Sequence, residues 1–225
     1  MIREYIVKTA SLLLLVGLII GLAGQVELLK PGISFMSPEL WGQILPLHVW
    51  VTVISLIVIC LSTISLIRDK TTLGQWAIWF GFATIPLLYG GVISLMLLNV
   101  GGRDSYLSDS YFMTANRHAF GTAVLLVALG GLSALQRVKF KSLPLKVSFG
   151  FALLITGSGV AAAYLQAMLG LNGLPRRYID YPAEFASLHF FSGVAAIACV
   201  FVSAIYVILL WRHKDEKLSM GEGVF

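Results

Sequence analysis

Long runs of apolar residues constrain this sequence more than any other feature. Six stretches have the length of about 20 residues that an α-helix needs to cross the hydrocarbon layer of a membrane. They cover about 5–24, 45–67, 75–99, 111–136, 146–170 and 187–211. Because 58% of the 225 residues are hydrophobic and the connections are short, little chain remains for a water-soluble domain. The sequence therefore predicts an all-α fold, a six-helix transmembrane bundle that forms a single membrane domain over 1–225.

The distribution of Lys and Arg predicts the orientation of this bundle. Six spans put both termini on one side, and eleven of the 16 basic residues fall on that side. Cytoplasmic segments retain such an excess, so both termini are expected in the cytoplasm of a bacterial or archaeal cell, with the protein integral to the inner membrane. The net charge of +5 is then a topology signal that also attracts anionic lipid, and it gives no support to nucleic-acid binding.

The positions of the acidic residues and of the two cysteines argue against a proton pump and against a cysteine metal site. All 11 Asp and Glu residues lie in termini or connecting segments, which makes the chain a poor candidate for a proton pump. Cys60 and Cys199 lie deep in apolar stretches without the spacing of a metal site, so we interpret both as packing residues.

Histidine is the informative polar residue of the spans. His48, His118 and His189 fall on three helices of the same direction, each within roughly 10 Å of the predicted outer boundary. The fourth, His213, lies in a basic tail and is interpreted as solvated. One isolated histidine is most often a core residue bonded to a backbone carbonyl. Histidines at matched depth on separate helices can instead ligate one metal, because burial favours the neutral imidazole.

A haem needs two axial ligands from opposite faces, an apolar slot and cations for its propionates. His48 and His118 supply candidate iron ligands, and the adjacent Arg176 and Arg177 of a predicted outer loop supply the charge. Two adjacent arginines in an outer loop can also bind lipid phosphates. From the residues alone, the haem site and a purely structural role for the histidines both stay open.

Three segments carry a resemblance to a known family. They are LNGLPRRYIDYPAEF (171–185), LKPGISFMSPELWGQILPLHVWV (29–51) and GGVISLMLLNVGGRDSYLSDSYFMTANRHAFG (90–121). They resemble, in that order, the loop before the last helix, the approach to the second helix, and the ninth and tenth helices of the catalytic subunit of haem-copper oxidases, the cytochrome c oxidase subunit I family. In that family the matching positions of His48 and His118 bind the low-spin haem, and those of Arg176 and Arg177 bind its propionates.

The resemblance also implies what this chain has lost. The family subunit has twelve helices, and the six spans resemble helices 1, 2 and 9–12, so we expect a truncated and degenerate relative. The copper ligands lie on the missing helices, and no copper is expected. Asn116 replaces the high-spin haem ligand, and Ser108 precedes Asp109 where the family has a histidine, which puts a magnesium site in doubt. Gln25 stands where the family has an arginine that contacts the formyl group of haem a, so haem b is favoured over haem a.

Further residues near the expected haem have less definite roles. Arg117, next to His118, can extend outward, pair with Asp109 or tune the haem potential, and the sequence does not decide between these. His189 replaces a non-ligating polar residue of the family, so a ligand role is the minor reading. Asp109, Asn116, Arg117 and His189 are therefore candidates for the surroundings of the haem.

Two retained haem ligands and no oxygen-reducing centre imply an electron carrier. We expect a membrane cytochrome subunit with one low-spin bis-histidine haem near the outer face, which passes electrons within a larger respiratory or oxidoreductase complex. It would neither reduce oxygen nor pump protons itself, so it is not expected to be catalytic alone. Expected partners are other membrane subunits, lipid and a periplasmic cytochrome c or cupredoxin-type carrier. The alternatives are a haem-free structural or assembly subunit and a small quinol-binding enzyme.

Overall fold

The computed structural model describes residues 9–20, 73–99, 110–137, 143–174 and 183–221, together with isolated positions between 23 and 58. The helices within these ranges are α1 (Thr9–Ile20), α2 (Leu73–Asn99), α3 (Tyr111–Arg137), α4 (Leu145–Leu171) and α5 (Ala183–Gly221). Every regular element of the described residues is helical, which confirms the all-α prediction.

Four of these helices are long and apolar enough to cross a membrane. The apolar segments are Ala77–Met96, Tyr111–Ala134, Leu145–Leu171 and Ala183–Arg212. They match four of the six predicted spans and indicate an integral membrane protein. The described part of the first span, Thr9–Ile20, is a shorter apolar helix. The second span, 45–67, lies outside the described residues except for isolated positions, so the six-helix count, the single domain and the cytoplasmic termini stay predictions.

Glycines bring α2 and α3 together as antiparallel neighbours. A Cβ added to Gly90 of α2 would lie 3.2 Å from the Phe120 ring of α3. Further along, a Cβ added to Gly130 of α3 would lie only 2.6 Å from Cβ of Trp79. Small residues at the contact let helix backbones approach closely, which is how helices associate in membranes without a hydrophobic driving force between them.

The next pair, α3 and α4, makes two contacts of the same kind. A Cβ on Gly170 of α4 would come 2.6 Å from Cβ of Phe112, and one on Gly159 would overlap the side chain of Thr122. Because Phe112 meets the later glycine and Thr122 the earlier one, these helices also run antiparallel. The ends of α2 and α4 and the start of α3 consequently share one end of the bundle, which we call the His118 end. The start of α5 lies there too, because the His189 ring packs against Tyr111, the first residue of α3.

The opposite half of the bundle is an aromatic and aliphatic core. The Trp79 and Tyr206 ring centroids are 4.8 Å apart, and both residues are fully buried. The Tyr206 hydroxyl lies 3.3 Å from Ser148 Oγ, which links α5 to α4. Trp211 Nε1 of α5 donates to Ser11 Oγ of α1 at 3.2 Å, so the first helix packs beside the far part of the last one. This core anchors the helix pairs whose other ends carry the candidate site.

Candidate functional site

His118 lies two turns into α3, near the His118 end of the bundle, with its side chain partly buried. Its Nδ1 is 3.2 Å from the carbonyl oxygen of Thr114, one turn earlier, and its own carbonyl accepts a 2.8 Å hydrogen bond from Thr122 Oγ1. A carbonyl can only accept, so Nδ1 carries the proton of the neutral ring and Nε2 carries the lone pair. This is the tautomer in which metal-ligating histidines bind through Nε2 while a carbonyl holds the other nitrogen. The described residue thus fits an iron-ligand role.

Gln166 of α4 lies beside the His118 imidazole. It sits between Gly159 and Gly170, the two close contacts of α4 with α3, and only 7% of its surface is exposed. Its Oε1 is buried and has no hydrogen-bond partner among the described residues. Burying an amide in an apolar helix costs free energy, and polar residues kept inside a membrane often have a function. Gln166 is therefore added to the candidate site. Sequence reasoning missed it, although an amide within the apolar run 146–170 was a usable signal.

Asn116 and Arg117 point away from the His118 ring. Asn116 Oδ1 accepts a 3.2 Å hydrogen bond from Ser94 Oγ of α2, so this side chain, which the resemblance aligns with the family's high-spin ligand, takes part in an interhelical hydrogen bond. The Arg117 side chain is exposed, in agreement with an outward orientation. Its suggested partner Asp109 lies outside the described residues. These two positions therefore border the candidate site without converging on His118.

His189 of α5 packs edge-on against the first residue of α3. The ring centroids of His189 and Tyr111 are 5.8 Å apart at an interplanar angle of 76°. The α4–α5 register, fixed by the pairs Ser148 with Tyr206 and Ile155 with Cys199, puts position 188 opposite Gln166. Since one residue is about 1.5 Å of helix, His189 lies at nearly the level of Gln166. Two of the three histidines predicted to share a layer thus lie at similar depth.

The loop that carries the arginine pair begins next to α3. Gly173, at φ +83°, ends α4 in a Schellman arrangement, in which Leu174 N–H bonds the Leu169 carbonyl at 3.1 Å. The Leu174 carbonyl then accepts a 3.2 Å hydrogen bond from Tyr111 N–H. The point where the chain enters the PRR sequence is therefore about 10 Å from His118 along the α3 axis.

Several predicted site residues are not among those described. His48, Arg176, Arg177 and Asp109 fall outside them. The two-histidine ligand pair and the propionate-binding arginines accordingly stay predictions. Within the described residues no group of three or more His, Cys, Asp or Glu side chains could hold a metal ion. A haem iron needs only two protein ligands, so this finding does not bear on a haem site. Cys199 is buried, and its Sγ donates to the Ile155 carbonyl at 3.7 Å, as suits a packing residue.

Comparison with known proteins supports the resemblance to cytochrome c oxidase subunit 1. The chain is 30% identical over 129 residues to this subunit from Cereibacter sphaeroides, a match that covers 54% of the chain and 21% of the relative. It is 27% identical over 162 residues to a putative cytochrome c oxidase subunit 1-beta of Streptomyces coelicolor, covering 70% of the chain and 28% of that protein. Cytochrome c oxidase subunit 1 of Albinaria turrita is 25% identical over 159 residues, 64% of the chain and 73% of the relative.

These similarities are weak and partial. The chain spans only between a fifth and a third of the length of the first two relatives. No family model matches the sequence, and no solved structure matches it significantly. The expectation of a truncated relative of cytochrome c oxidase subunit 1 is confirmed at this level.

Proposed function

We propose that this partial relative of cytochrome c oxidase subunit 1 is a membrane cytochrome subunit, with one low-spin haem held between His48 and His118. It passes electrons within a larger respiratory or oxidoreductase complex. The observation that carries the proposal is the hydrogen-bonding environment of His118. The Thr114 carbonyl, 3.2 Å from Nδ1, leaves Nε2 as the free lone pair of a neutral ring in an apolar helix bundle.

Electron transfer is the chemistry that such a site serves best. A haem iron with two histidine ligands has no open coordination position for a substrate, and it supplies a one-electron redox centre when bound. The 3.2 Å hydrogen bond between Ser94 Oγ and Asn116 Oδ1 engages the side chain at the position of the family's second haem ligand. This supports one haem rather than two, and no oxygen-reducing copper centre is expected beside it.

The position of Leu174, the last described residue before the arginine pair, supports a role for Arg176 and Arg177 as propionate partners. They follow Leu174 by two and three residues, and Leu174 is tied to the start of α3 through Tyr111. An extended chain covers about 3.3–3.6 Å per residue, so two or three residues are enough to bring either guanidinium to the propionates of a haem bound at His118. Charge-assisted hydrogen bonds from arginine to a carboxylate are among the stronger polar contacts in proteins.

The expected cellular setting follows from the predicted topology. The haem would lie near the outer face of a bacterial or archaeal inner membrane, where a periplasmic cytochrome c or cupredoxin-type carrier can reach it. Other membrane subunits of the complex would provide the second electron partner, with lipid around the remaining surface. Gln25 in place of the family's arginine favours haem b over haem a.

A reduced-minus-oxidised absorption spectrum of the purified chain tests the proposal. We expect a sharp low-spin α band, no spectral response to carbon monoxide, and a pyridine haemochrome of haem b at one haem per chain. His48→Ala and His118→Ala should each abolish the α band. As a matched control, Thr156→Val changes a buried residue of α4 two to three turns from Gln166 and should keep the band.

Two results would overturn the assignment. The first is that the chain purifies without haem while His48→Ala and His118→Ala still assemble with partner subunits. This result would identify a haem-free structural subunit. A carbon monoxide complex together with turnover of a quinol by the isolated chain would instead indicate an enzyme with an open iron position.

A further inference from the structure

We propose that Gly121 of α3 is the residue against which the edge of the haem ring rests, so that this position has to be glycine. Gly121 follows His118 by three residues on the same helix. A glycine lets a flat ligand approach the helix backbone closely. This inference deepens the proposed function and rests on it, because it takes His118 as an iron ligand.

A single seam of residues runs along α3 and includes His118. Positions spaced alternately by four and three residues share one face of a helix. On α3 this spacing gives Thr114, His118, Gly121, Leu125, Ala128 and Leu132. The seam therefore passes from the His118 end of the bundle into the opposite half without changing face.

The half of this seam that lies away from the His118 end is covered by neighbouring helices. Leu125, Ala128 and Leu132 are only 8%, 0% and 6% exposed. All three belong to the hydrophobic core that also contains Leu14 and Leu18 of α1. This part of the seam has thus found its packing partners within the chain.

The half of the seam that carries His118 is open. His118 is only partly buried, and Gly121 is exposed. A Cβ added to Gly121 would meet no described atom within 4 Å, whereas one added to Gly130 would lie 2.6 Å from Cβ of Trp79. Helix packing therefore requires a glycine at position 130 but not at position 121. The open stretch is a recess beside His118, and the buried Leu125 closes its inner end.

The recess has the shape that a flat ligand of His118 needs. The His118 ring leans toward the start of α3, since its Nδ1 is 3.2 Å from the Thr114 carbonyl oxygen. A porphyrin lies across the bond between iron and its axial nitrogen and is wider than one helical turn of about 5.4 Å. Gly121 is about 4.5 Å from His118 along the helix axis, so the inner edge of the ring passes over it. A side chain at Gly121 would hold the ring away from the backbone.

Cysteine labelling of the haem-free full chain in phosphatidylcholine vesicles tests the recess without relying on haem. Gly121→Cys is compared with Gly157→Cys, both made in a chain that carries Cys60→Ala and Cys199→Ala. Gly157 is the matched control, because it is an exposed glycine of α4 whose added Cβ also meets no described atom. It lies at nearly the same depth as Gly121, since Gly159 contacts Thr122.

The two cysteines are expected to react at different rates. The thiolate is the reactive form of cysteine, and a thiol that faces hydrocarbon stays protonated. A recess that contains an imidazole admits water, so a water-soluble maleimide should label Gly121→Cys about tenfold or more faster than Gly157→Cys. Haem added before the maleimide should protect Gly121→Cys and leave the rate of Gly157→Cys unchanged.

A larger side chain at the same position supplies a second readout. Gly121→Leu should lower haem affinity about 10- to 100-fold, as expected when a close contact is overpacked, and Gly157→Leu should keep it. The melting temperature of the haem-free chain should not fall in Gly121→Leu, because an added Cβ meets no described atom there. This comparison separates a loss of haem binding from a loss of folding.

Each outcome identifies which idea has failed. Equal labelling of the two cysteines, bound haem that does not protect Gly121→Cys, or a haem affinity that Gly121→Leu leaves unchanged would each overturn the role of Gly121. The proposed function would survive these results in a chain that binds haem. If Gly121→Cys is labelled selectively but the chain takes up no haem, the recess stands and the proposed function fails. Labelling and its protection by haem decide the matter should Gly121→Leu not fold.

Discussion

Gly159 of α4 lies directly against Thr122 of α3, so close that one added methyl group would overlap the threonine side chain. The same Thr122 donates its Oγ1 hydrogen bond to the carbonyl oxygen of His118 at 2.8 Å. One of the close contacts between the two helices is therefore one turn from the candidate iron ligand. Any change that forces α3 and α4 apart at this point also disturbs His118.

Gly159→Ala is expected to destabilise the bundle by about 1–3 kcal/mol, the usual cost of overpacking a close contact. A thermal melt of the chain in detergent measures the effect. Gly157→Ala is the matched control, because a Cβ at Gly157 meets nothing within 4 Å among the described residues. Equal melting temperatures for the two variants would show that the helices are further apart than the structure has them.

The hydrogen bond between Ser94 and Asn116 is expected to stabilise the pair α2 and α3. Ser94→Ala and Asn116→Leu should each cost about 0.5–1.5 kcal/mol, the range found for interhelical hydrogen bonds in membranes. The double variant should cost less than the sum of the two single ones, since both remove the same interaction. Strictly additive losses in a double-mutant cycle would argue that the two side chains do not interact.

His189→Phe should retain the low-spin α band. Phenylalanine keeps an aromatic ring for the edge contact with Tyr111 but cannot bind iron. Absorption spectra of His189→Phe and His118→Phe, recorded side by side, make the comparison. Loss of the band in His189→Phe together with its survival in either His48→Ala or His118→Ala would assign His189 as a ligand instead.

Arg176→Gln and Arg177→Gln are each expected to lower the haem midpoint potential. Removing a nearby positive charge favours the oxidised, more positive iron, by about 1 kcal/mol or roughly 40 mV for one electron. A redox titration followed at the α band measures the shift. Lys146→Gln, at an exposed position near the start of α4 and so at the other end of the bundle, is the control that should leave the potential unchanged.

Hydropathy located the membrane helices but not all of their ends. The predicted spans 111–136 and 146–170 agree within one residue with Tyr111–Arg137 and Leu145–Leu171. The last helix instead runs over Ala183–Gly221, beyond both ends of the predicted span 187–211. Transfer free energy marks where a helix leaves the hydrocarbon, whereas backbone hydrogen bonding continues through the polar residues that follow. The boundaries of a span and of its helix are thus different quantities.

The sequence by itself determined that the chain is helical and membrane-embedded, and it placed His118 and His189 near one depth. Length, hydropathy and residue spacing are properties of each segment alone, so they can be read without knowing its neighbours. Only the tertiary structure decided that Gln166 adjoins His118, that Asn116 bonds Ser94 and that Gly159 meets Thr122. These contacts depend on how each helix is rotated about its axis. In a membrane, close packing of small residues sets that rotation, because lipid is as apolar as the side chains it surrounds.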